Sequence, residues 1–312
     1  MKQENENILA IFHKQLGDTL LLQPALRKLS LAGHKPVRLL CPSSFHPLLQ
    51  LMPGSCCPAY SRPDKSDWLI AYDSGSYTAG RALMSRAKRK TLLRFKDIGD
   101  KWYHPYVYND ILDREGGFLY RARFYWETTP VETTEIFRPP ALAAPPDSWM
   151  PPEIKAPYLL IHPGSAWQRK CWTVKGWNFV LAALFEETRL PILVTGGNTP
   201  WEVEHVRDIC SSSSVPLVNY SRRSSLKGFM ALCSRAALVL TVDGFASHLA
   251  SAFNKPVLSL FGPTDPSHWH YPTARSRCGS VREFGIPKPY PMEQLSPDVV
   301  REEALRLLTE TL

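Results

Sequence analysis

A carboxylate, Asp18, lies where a glycine turn meets the start of a helix, in HKQLGDTLLLQPALRKL (13–29) after the apolar run ILAIF (8–12). Such a turn usually binds phosphate, but a carboxylate at a helix N-terminus repels a phosphate approaching the same amides. The sequence also lacks G-x-x-x-x-G-K-[ST] and G-x-G-x-x-G. Two interpretations remain: Asp18 is a helix N-cap, or it is a general base that takes a proton from an attacking hydroxyl.

Phosphate chemistry is predicted in the second half of the chain, in IHPGSAWQRKCWTVKGW (161–177). A small turn that carries Ser165, followed by Lys170, suits a diphosphate because backbone amides, a hydroxyl and an ammonium can converge on it. The alternative is that Lys170 is a solvated surface lysine and that the neighbouring tryptophans only pack.

A second anion-binding feature is predicted in LVLTVDGFASHLASAFNKPVLSLFGPTDP (238–266). A helix begins after Asp243 and Gly244, and helix N-termini attract anions. His248 on that helix could hydrogen-bond a phosphate or a sugar hydroxyl, although a single histidine on a helix is often structural. The phosphates of a ligand are therefore expected in this half.

These residues must be positioned by strands, and short apolar runs separated by helical patterns predict parallel strands buried on both faces. Pro24 predicts a break after the first helical turn, with a longer helix starting there. The predicted strands are ILAIF (8–12), VRLLC (37–41), WLIAY (68–72), TLLRF (91–95), YLLIH (158–162), PILVTG (191–196), VPLVNY (215–220), LVLTVD (238–243) and PVLSLFG (256–262).

A segment with seven prolines, residues 138–157, divides the chain because proline cannot occupy a helix interior or a central strand. We predict a first domain at 1–145, a linker at 146–157 and a second domain at 158–312 that ends in a helix at 296–311. Ser296 is its predicted N-cap and Pro297 its first residue. Two doubly wound sheets would place the carboxyl ends of their strands on a shared cleft.

The composition narrows the class of protein. The net charge of +8 over 312 residues favours an anionic partner. No apolar run approaches the roughly 20 residues that span a bilayer, and the N-terminus MKQENENILAIF does not resemble a signal peptide, so we expect a cytoplasmic protein. Seven cysteines without C-x-x-C indicate neither a disulfide framework nor a zinc site.

Taken in order, L-G-D-x-x-x-x-x-P-A-L, H-P-G-S, K-x-W, V-D-x-x-x-x-H-L-A and F-G-P-T-D-P resemble the motifs of glycosyltransferase family 9, the ADP-heptose:lipopolysaccharide heptosyltransferases. The resemblance implies an α/β protein with the GT-B fold, in which two Rossmann-like doubly wound domains face a central cleft. It also implies an inverting transferase that uses no metal or cofactor. The first domain would bind the acceptor, and the second would bind an ADP-sugar.

Carried over by position, Asp18 matches the catalytic base, while Ser165 and Lys170 match contacts to the donor phosphates. Glu202, with Glu204 as a rival, matches the acid that meets the ribose. The remaining donor-binding positions are Asp243, Gly244, Phe245 and His248.

One departure affects the donor site. Members of the family usually have Asp-Thr-Gly at this turn, whereas here Asp243 is followed by Gly244 and Phe245. The phosphate contacts, and with them the donor sugar, are therefore expected to differ.

The acceptor side is predicted from a basic run at residues 81–96, which holds seven basic residues and no acid. Such a run is either a solvated face or an electropositive strip for a phosphorylated glycolipid, such as lipopolysaccharide, at the inner membrane. The predicted acceptor-binding residues are Arg81, Arg86, Lys88, Arg89 and His104.

Alternative functions are a GT-B sugar-nucleotide epimerase or hydrolase, which acts without an acceptor, and a basic binding protein. No motif of a nucleic-acid-binding module is present, so a nucleic-acid partner is not expected. The pair His268 and His270 with one distant acid gives only a weak signal for a metal site.

Overall fold

The computed structural model describes residues 6–33, 35–59, 65–95, 101–115, 119–284 and 288–311. It consists of two compact units, Met1–Ala143 and Ala144–Leu312, divided within the proline-rich segment. Across the described ranges, no helix combines the length and the apolar character needed to cross a bilayer. All seven cysteines are free thiols.

The first unit is a six-stranded parallel sheet in the order β3-β2-β1-β4-β5-β6. Its strands are β1 Ile8–Ile11, β2 Val37–Leu40, β3 Cys56–Pro58, β4 Trp68–Ala71, β5 Arg89–Phe95 and β6 Asp110–Arg114. Its helices are α1 Leu16–Leu21, α2 Gln23–Gly33, α3 His46–Leu49, α4 Ser76–Met84, α5 His104–Val107 and α6 Arg121–Thr128.

The second unit repeats this arrangement as a parallel sheet in the order β12-β11-β10-β7-β8-β9. Its strands are β7 Leu159–His162, β8 Ile192–Val194, β9 Leu217–Asn219, β10 Leu238–Val242, β11 Val257–Phe261 and β12 Ser276–Ser280. Its helices are α7 Val174–Thr188, α8 Pro200–Ser211, α9 Leu226–Arg235, α10 Phe245–Ala252, α11 Pro266–Trp269 and α12 Pro297–Thr311.

The predicted α/β class with doubly wound parallel sheets is confirmed, since each unit has the strand order 3-2-1-4-5-6 when its own strands are counted. The nine predicted strands are present, and every residue of β1, β4, β10 and β11 is buried. The break at Pro24 is also present, because α1 ends at Leu21 and α2 begins at Gln23.

Of the strands that the structure describes, the sequence analysis did not predict β3, β6 and β12. All three lie at sheet edges. An edge strand has a neighbour on one side only, so it needs fewer apolar residues than a central strand. The sequences DILDR of β6 and SRCGS of β12 accordingly lack a continuous apolar run.

The strand order fixes where a ligand can bind in each unit. The chain leaves the sheet in opposite directions on either side of the β1/β4 pair and of the β7/β10 pair, which opens a crevice at their carboxyl ends. In the first unit the loops there hold His13 and Asp73. In the second unit they hold Ser165 and Asp243.

Replacing either of two helical glycines with alanine is predicted to change the free energy of unfolding, but in opposite directions. A Cβ at Gly176 of α7 would lie 2.6 Å from the buried Trp172 ring. Outside its own helix and chain neighbours, no described atom lies within 4 Å of a Cβ at Gly80 of α4. We expect Gly176→Ala to lower the free energy of unfolding by about 1–2 kcal/mol and Gly80→Ala to raise it by up to about 1 kcal/mol. Urea denaturation of both variants measures this, and stabilisation by Gly176→Ala would contradict the packing argument.

Candidate functional site

The second unit holds a buried ion pair at the carboxyl edge of its sheet. Lys170 ends a short turn after β7, and its Nζ lies 2.7 Å from Oδ2 of Asp243, which directly follows β10. The Lys170 side chain is 15% exposed and that of Asp243 is 3% exposed. Thr264, after β11, donates to the same Oδ2 at 2.7 Å. The loops after three neighbouring strands therefore meet on one carboxylate.

The Asp243 side chain is occupied by Lys170 and Thr264. Because a carboxylate repels phosphate, this side chain is not suited to contact an anion itself. Lys170 also lies over the Trp167 ring, with Nζ 4.9 Å from its centroid, which further restrains the ammonium. The backbone N–H groups of Gly244 and of the first turn of α10 are the groups suited to an anion.

The turn that departs from the family pattern has room for a side chain. Gly244 is the N-cap of α10, its backbone is extended with φ 166°, and no side chain caps the helix. Among the described residues other than its chain neighbours, a Cβ at this position would meet only Ser165 Oγ, at 4.0 Å. Steric crowding therefore does not require the glycine. Phe245 begins α10, and its ring centroid lies 6.2 Å from that of Phe229.

The two candidate ribose-binding acids occupy different places. Glu202 is buried in the first turn of α8, where it forms a capping box with Thr199 and accepts from the Thr199 hydroxyl at 2.6 Å. A Cβ at Gly164 would lie 3.0 Å from Glu202 Oε1, so this carboxylate is beside the turn after β7. Glu204 is 63% exposed and pairs with Arg207. The structure brings Glu202, and not Glu204, to the carboxyl edge.

His248 of α10 is buried, and burial lowers its pKa to about 4. The ring is therefore neutral at pH 7 and would contact a ligand as a hydrogen-bonding group rather than as a cation. His270 has the same character, because its pKa is also lowered to about 4 by burial.

The sequence prediction missed His162, the last residue of β7. The Thr195 hydroxyl donates its proton to the Ile161 carbonyl at 3.0 Å. His162 Nδ1 lies 3.0 Å from Thr195 Oγ1, and because the hydroxyl proton is already used, Nδ1 is the donor and Oγ1 the acceptor. Burial lowers the pKa of His162 to about 4 and keeps the ring neutral, which leaves Nε2 as a hydrogen-bond acceptor. A polar residue that ends an apolar central strand was the available signal.

In the first unit, the N-cap interpretation of Asp18 is wrong. The N-cap of α1 is Gln15, and Asp18 is the third residue of that helix. Asp18 is half-buried, and burial of Tyr125, followed by the negative charge of Asp18, raises the pKa of that tyrosine. The carboxylate belongs to the helix that follows β1, at the carboxyl edge of the sheet.

The predicted acceptor-binding residues are not brought together. Lys88 and Arg89 stand at the start of β5, the edge opposite to Asp18, where they pair with Asp67 at 3.1 Å and Asp110 at 2.9 Å. Arg81 lies on α4, and Arg86 is exposed between α4 and β5. Lys96, the end of the basic run, lies outside the described residues.

His104, the fifth of these residues, is completely buried in α5, with Nε2 3.3 Å from the Ser74 carbonyl oxygen. Its contact is with the loop after β4, so it supports that loop from within the protein. Among residues placed by the structure, no three His, Cys, Asp or Glu side chains form a group able to hold a metal ion.

Comparisons with known proteins connect this geometry to one family. Residues 134–288 match the profile of glycosyltransferase family 9 (heptosyltransferase), a range that contains the donor-site residues but not Asp18. Over 149 residues, or 45% of the chain, the sequence is 28% identical to lipopolysaccharide heptosyltransferase 3 of Escherichia coli, and it spans 44% of that protein.

Two solved structures share the fold over nearly the whole chain. A family 9 glycosyltransferase from Veillonella parvula is 18% identical with a TM-score of 0.79, and the match covers 99% of both chains. The E. coli ADP-heptose lps heptosyltransferase II is 17% identical with a TM-score of 0.80, and the match covers 97% of this chain and 99% of the other. The predicted GT-B fold is thereby confirmed.

The buried ion pair predicts a large loss on removal of its cation. Lys170→Met leaves Asp243 buried without a counter-charge, and we expect the free energy of unfolding to fall by about 3 kcal/mol. Lys170→Met combined with Asp243→Asn should recover part of this loss. Arg207→Met, which breaks an exposed pair with Glu204, should cost less than about 1 kcal/mol. Equal losses for the two single variants in urea denaturation would contradict this account.

The neutral histidines predict acid sensitivity of the second unit. Unfolded histidine has a pKa of about 6.5, while His162, His248 and His270 have folded pKa values of about 4. The unfolded chain therefore binds protons first, so stability is full above about pH 6.5 and falls as the pH drops toward 4. Thermal unfolding from pH 7.5 to 4.5 measures this. His162→Asn removes one of these titrations and should make the fall shallower, and an unchanged slope would contradict the assignment.

Proposed function

Because this chain belongs to glycosyltransferase family 9, we propose that it is an inverting glycosyltransferase that moves a heptose or a related sugar from an ADP-sugar to a lipopolysaccharide core or a similar glycan. The observation that carries the proposal is the Lys170–Asp243 pair beside the open N-terminus of α10, inside the range that matches the family. The names of the E. coli relative and of the E. coli ADP-heptose lps heptosyltransferase II supply the sugar, the nucleotide and the acceptor.

In this proposal the second unit binds the donor. Ser165, Lys170 and the amides of Gly244 and Phe245 contact the diphosphate, because they lie at the ends of β7 and β10 where an anion is favoured. Glu202, beside the turn after β7, meets the ribose. His248 contributes a neutral hydrogen bond to phosphate or sugar.

Asp18 is the proposed general base. It takes the proton from the acceptor hydroxyl as that oxygen forms a bond to the anomeric carbon, while the bond from that carbon to the diphosphate oxygen breaks. ADP leaves with the bonding electrons, and the Lys170 ammonium offsets its charge. Attack opposite the leaving group inverts the anomeric centre. Asp73, the other carboxylate at this edge, is a poor base because both of its oxygens accept hydrogen bonds.

The acceptor and the site of action follow from the same proposal. A lipopolysaccharide precursor is anionic and membrane-bound, so the net charge of +8 favours peripheral contact with the cytoplasmic face of the inner membrane. Arg81 and Arg86 of the first unit are the basic residues proposed to contribute. Lys88 and Arg89 are assigned a lesser part because they stand at the amino edge of the sheet, opposite to Asp18.

Nucleotide selectivity tests the donor assignment. We would measure the melting temperature with ADP, UDP or GDP in the presence of EDTA, since a ligand held only by the folded state raises it. Selective stabilisation by ADP without metal is the expected result. Preference for UDP together with turnover in the absence of an acceptor would instead favour the epimerase or hydrolase alternative, and loss of ADP binding in EDTA would overturn metal independence.

Asp18→Asn tests the base. We expect the rate of heptose transfer to fall roughly 10²–10⁴-fold, because the amide cannot accept the proton, while ADP affinity stays within about twofold. Glu127→Gln, an exposed carboxylate of α6 in the same unit, serves as the control and should keep wild-type activity. Rates come from ADP release with ADP-heptose and a heptose-deficient lipopolysaccharide, and ADP affinity comes from calorimetry. Wild-type transfer by Asp18→Asn would exclude Asp18 as the base.

A further inference from the structure

A second carboxylate at the edge that holds Asp18 has an unusual set of partners. Asp73 lies two residues after β4 and is 5% exposed. Its Oδ2 accepts from the backbone N–H of His13 at 2.8 Å, and its Oδ1 accepts from the backbone N–H of Gly75 at 3.0 Å. The Thr78 hydroxyl lies 2.7 and 2.8 Å from the two oxygens. All three donors are neutral.

Burial of a carboxylate costs several kcal/mol unless hydrogen bonds replace its hydration. Here that replacement comes from two pieces of chain: the loop after β1, which holds His13, and the start of α4, which holds Gly75 and Thr78. A carboxylate has two acceptor oxygens, so it can bind donors on opposite sides at once. An asparagine side chain at this position has one acceptor oxygen and would lose at least one of these hydrogen bonds.

The His13 contact matters because His13 begins the segment that leads to Asp18. The loop leaves β1 at Phe12 and enters α1 at Gln15, which provides no side-chain cap. Two contacts tie this loop to α4 and the loop before it. One is the hydrogen bond from His13 N–H to Asp73, and the other is the His13 ring, whose centroid lies 4.2 Å from that of Tyr77.

Tyr125 of α6 contacts both loops at their roots. Its ring centroid lies 5.8 Å from that of Phe12, which directly precedes His13, and 6.2 Å from that of Tyr72, which directly precedes Asp73. The loop after β1 and the loop after β4 therefore begin side by side. A small movement of the first loop would displace Asp18.

We propose that Asp73 is a positioning residue, which holds the Asp18 loop against the start of α4 by accepting hydrogen bonds from His13, Gly75 and Thr78. The inference rests on the proposed function, since it assigns Asp73 an effect on transfer through Asp18. Displacement of a reacting group by about 1 Å can cost on the order of 100-fold in rate, and this sets the size of the expected effect.

Steady-state kinetics test the proposal with ADP-heptose and a heptose-deficient lipopolysaccharide. Asp73→Asn should lower kcat roughly 10–100-fold and leave the KM for ADP-heptose within about twofold, because the second unit is unaltered. Thr78→Val should lower kcat to a smaller extent, and Thr78→Ser, which keeps the hydroxyl, should restore it. Thr128→Val, which removes a helix-internal hydroxyl bond in the same unit, is the matched control and should have wild-type kcat.

A double variant separates positioning from general destabilisation. In the Asp18→Asn background the base is already lost, so adding Asp73→Asn should reduce the residual rate by less than about twofold. Equal losses in both backgrounds would overturn the proposal. Wild-type activity of Asp18→Asn alone would instead refute the proposed function, whereas an inactive Asp18→Asn with a fully active Asp73→Asn would refute only the role of Asp73.

Hydrogen–deuterium exchange supplies a measurement that needs no substrate. Asp73→Asn should increase exchange at least several-fold in peptides covering residues 13–22 and leave peptides of α7 and α8 unchanged. If Asp73→Asn does not fold, the same comparison between Thr78→Val and Thr78→Ser decides the question. Identical exchange in wild type and variant would show that Asp73 does not hold the loop.

Discussion

In a parallel sheet every strand ends at the same edge, and this constraint determines the chemistry available to each unit of the protein. Central strands are largely apolar because both faces are covered, and polar residues inside them, such as Thr241 and Ser259, are buried and hydrogen-bonded. Polar side chains that can meet a ligand therefore lie where those strands stop. The order 3-2-1-4-5-6 then opens the edge at one place in each sheet, between its first and fourth strands. Asp73 follows the fourth strand of the first unit, and Asp243 follows that of the second.

These two buried carboxylates are compensated in different ways. Asp243 has a cation, Lys170, and a hydroxyl, and the pair joins loops from three adjacent strands. Asp73 has neutral donors that belong to the segments around it. The first arrangement compensates a buried carboxylate with a cation, and the second compensates one with neutral hydrogen-bond donors. Equivalent positions in two similar sheets are thus stabilised by an ion pair in one unit and by hydrogen bonds alone in the other.

The charge at the sheet edges is set by the few side chains that lie there and cannot be inferred from the net charge of the chain. The protein carries a net charge of +8, yet Lys88 and Arg89 of its most basic run lie at the amino edge of the first sheet in ion pairs. The histidines at the edge of the second sheet are neutral, since burial lowers the pKa of both His162 and His248 to about 4. At that edge the charge of Lys170 is balanced by Asp243, and the N-terminus of α10 adds its partial positive charge.

The sequence by itself determined the two doubly wound sheets, their central strands and the break at Pro24, because apolar runs and proline act locally. It also singled out Asp243, which directly follows β10, and Lys170, which follows the small turn after β7. Tertiary structure alone decided the edge strands β3, β6 and β12, whose sequences lack a long apolar run, and the choice of Glu202 over Glu204 at the carboxyl edge. It alone revealed the tautomer of His162 and the partners of Asp73. Hydrogen bonds between residues about 30 and 60 positions apart leave no local pattern, because they form only when the strands are already side by side.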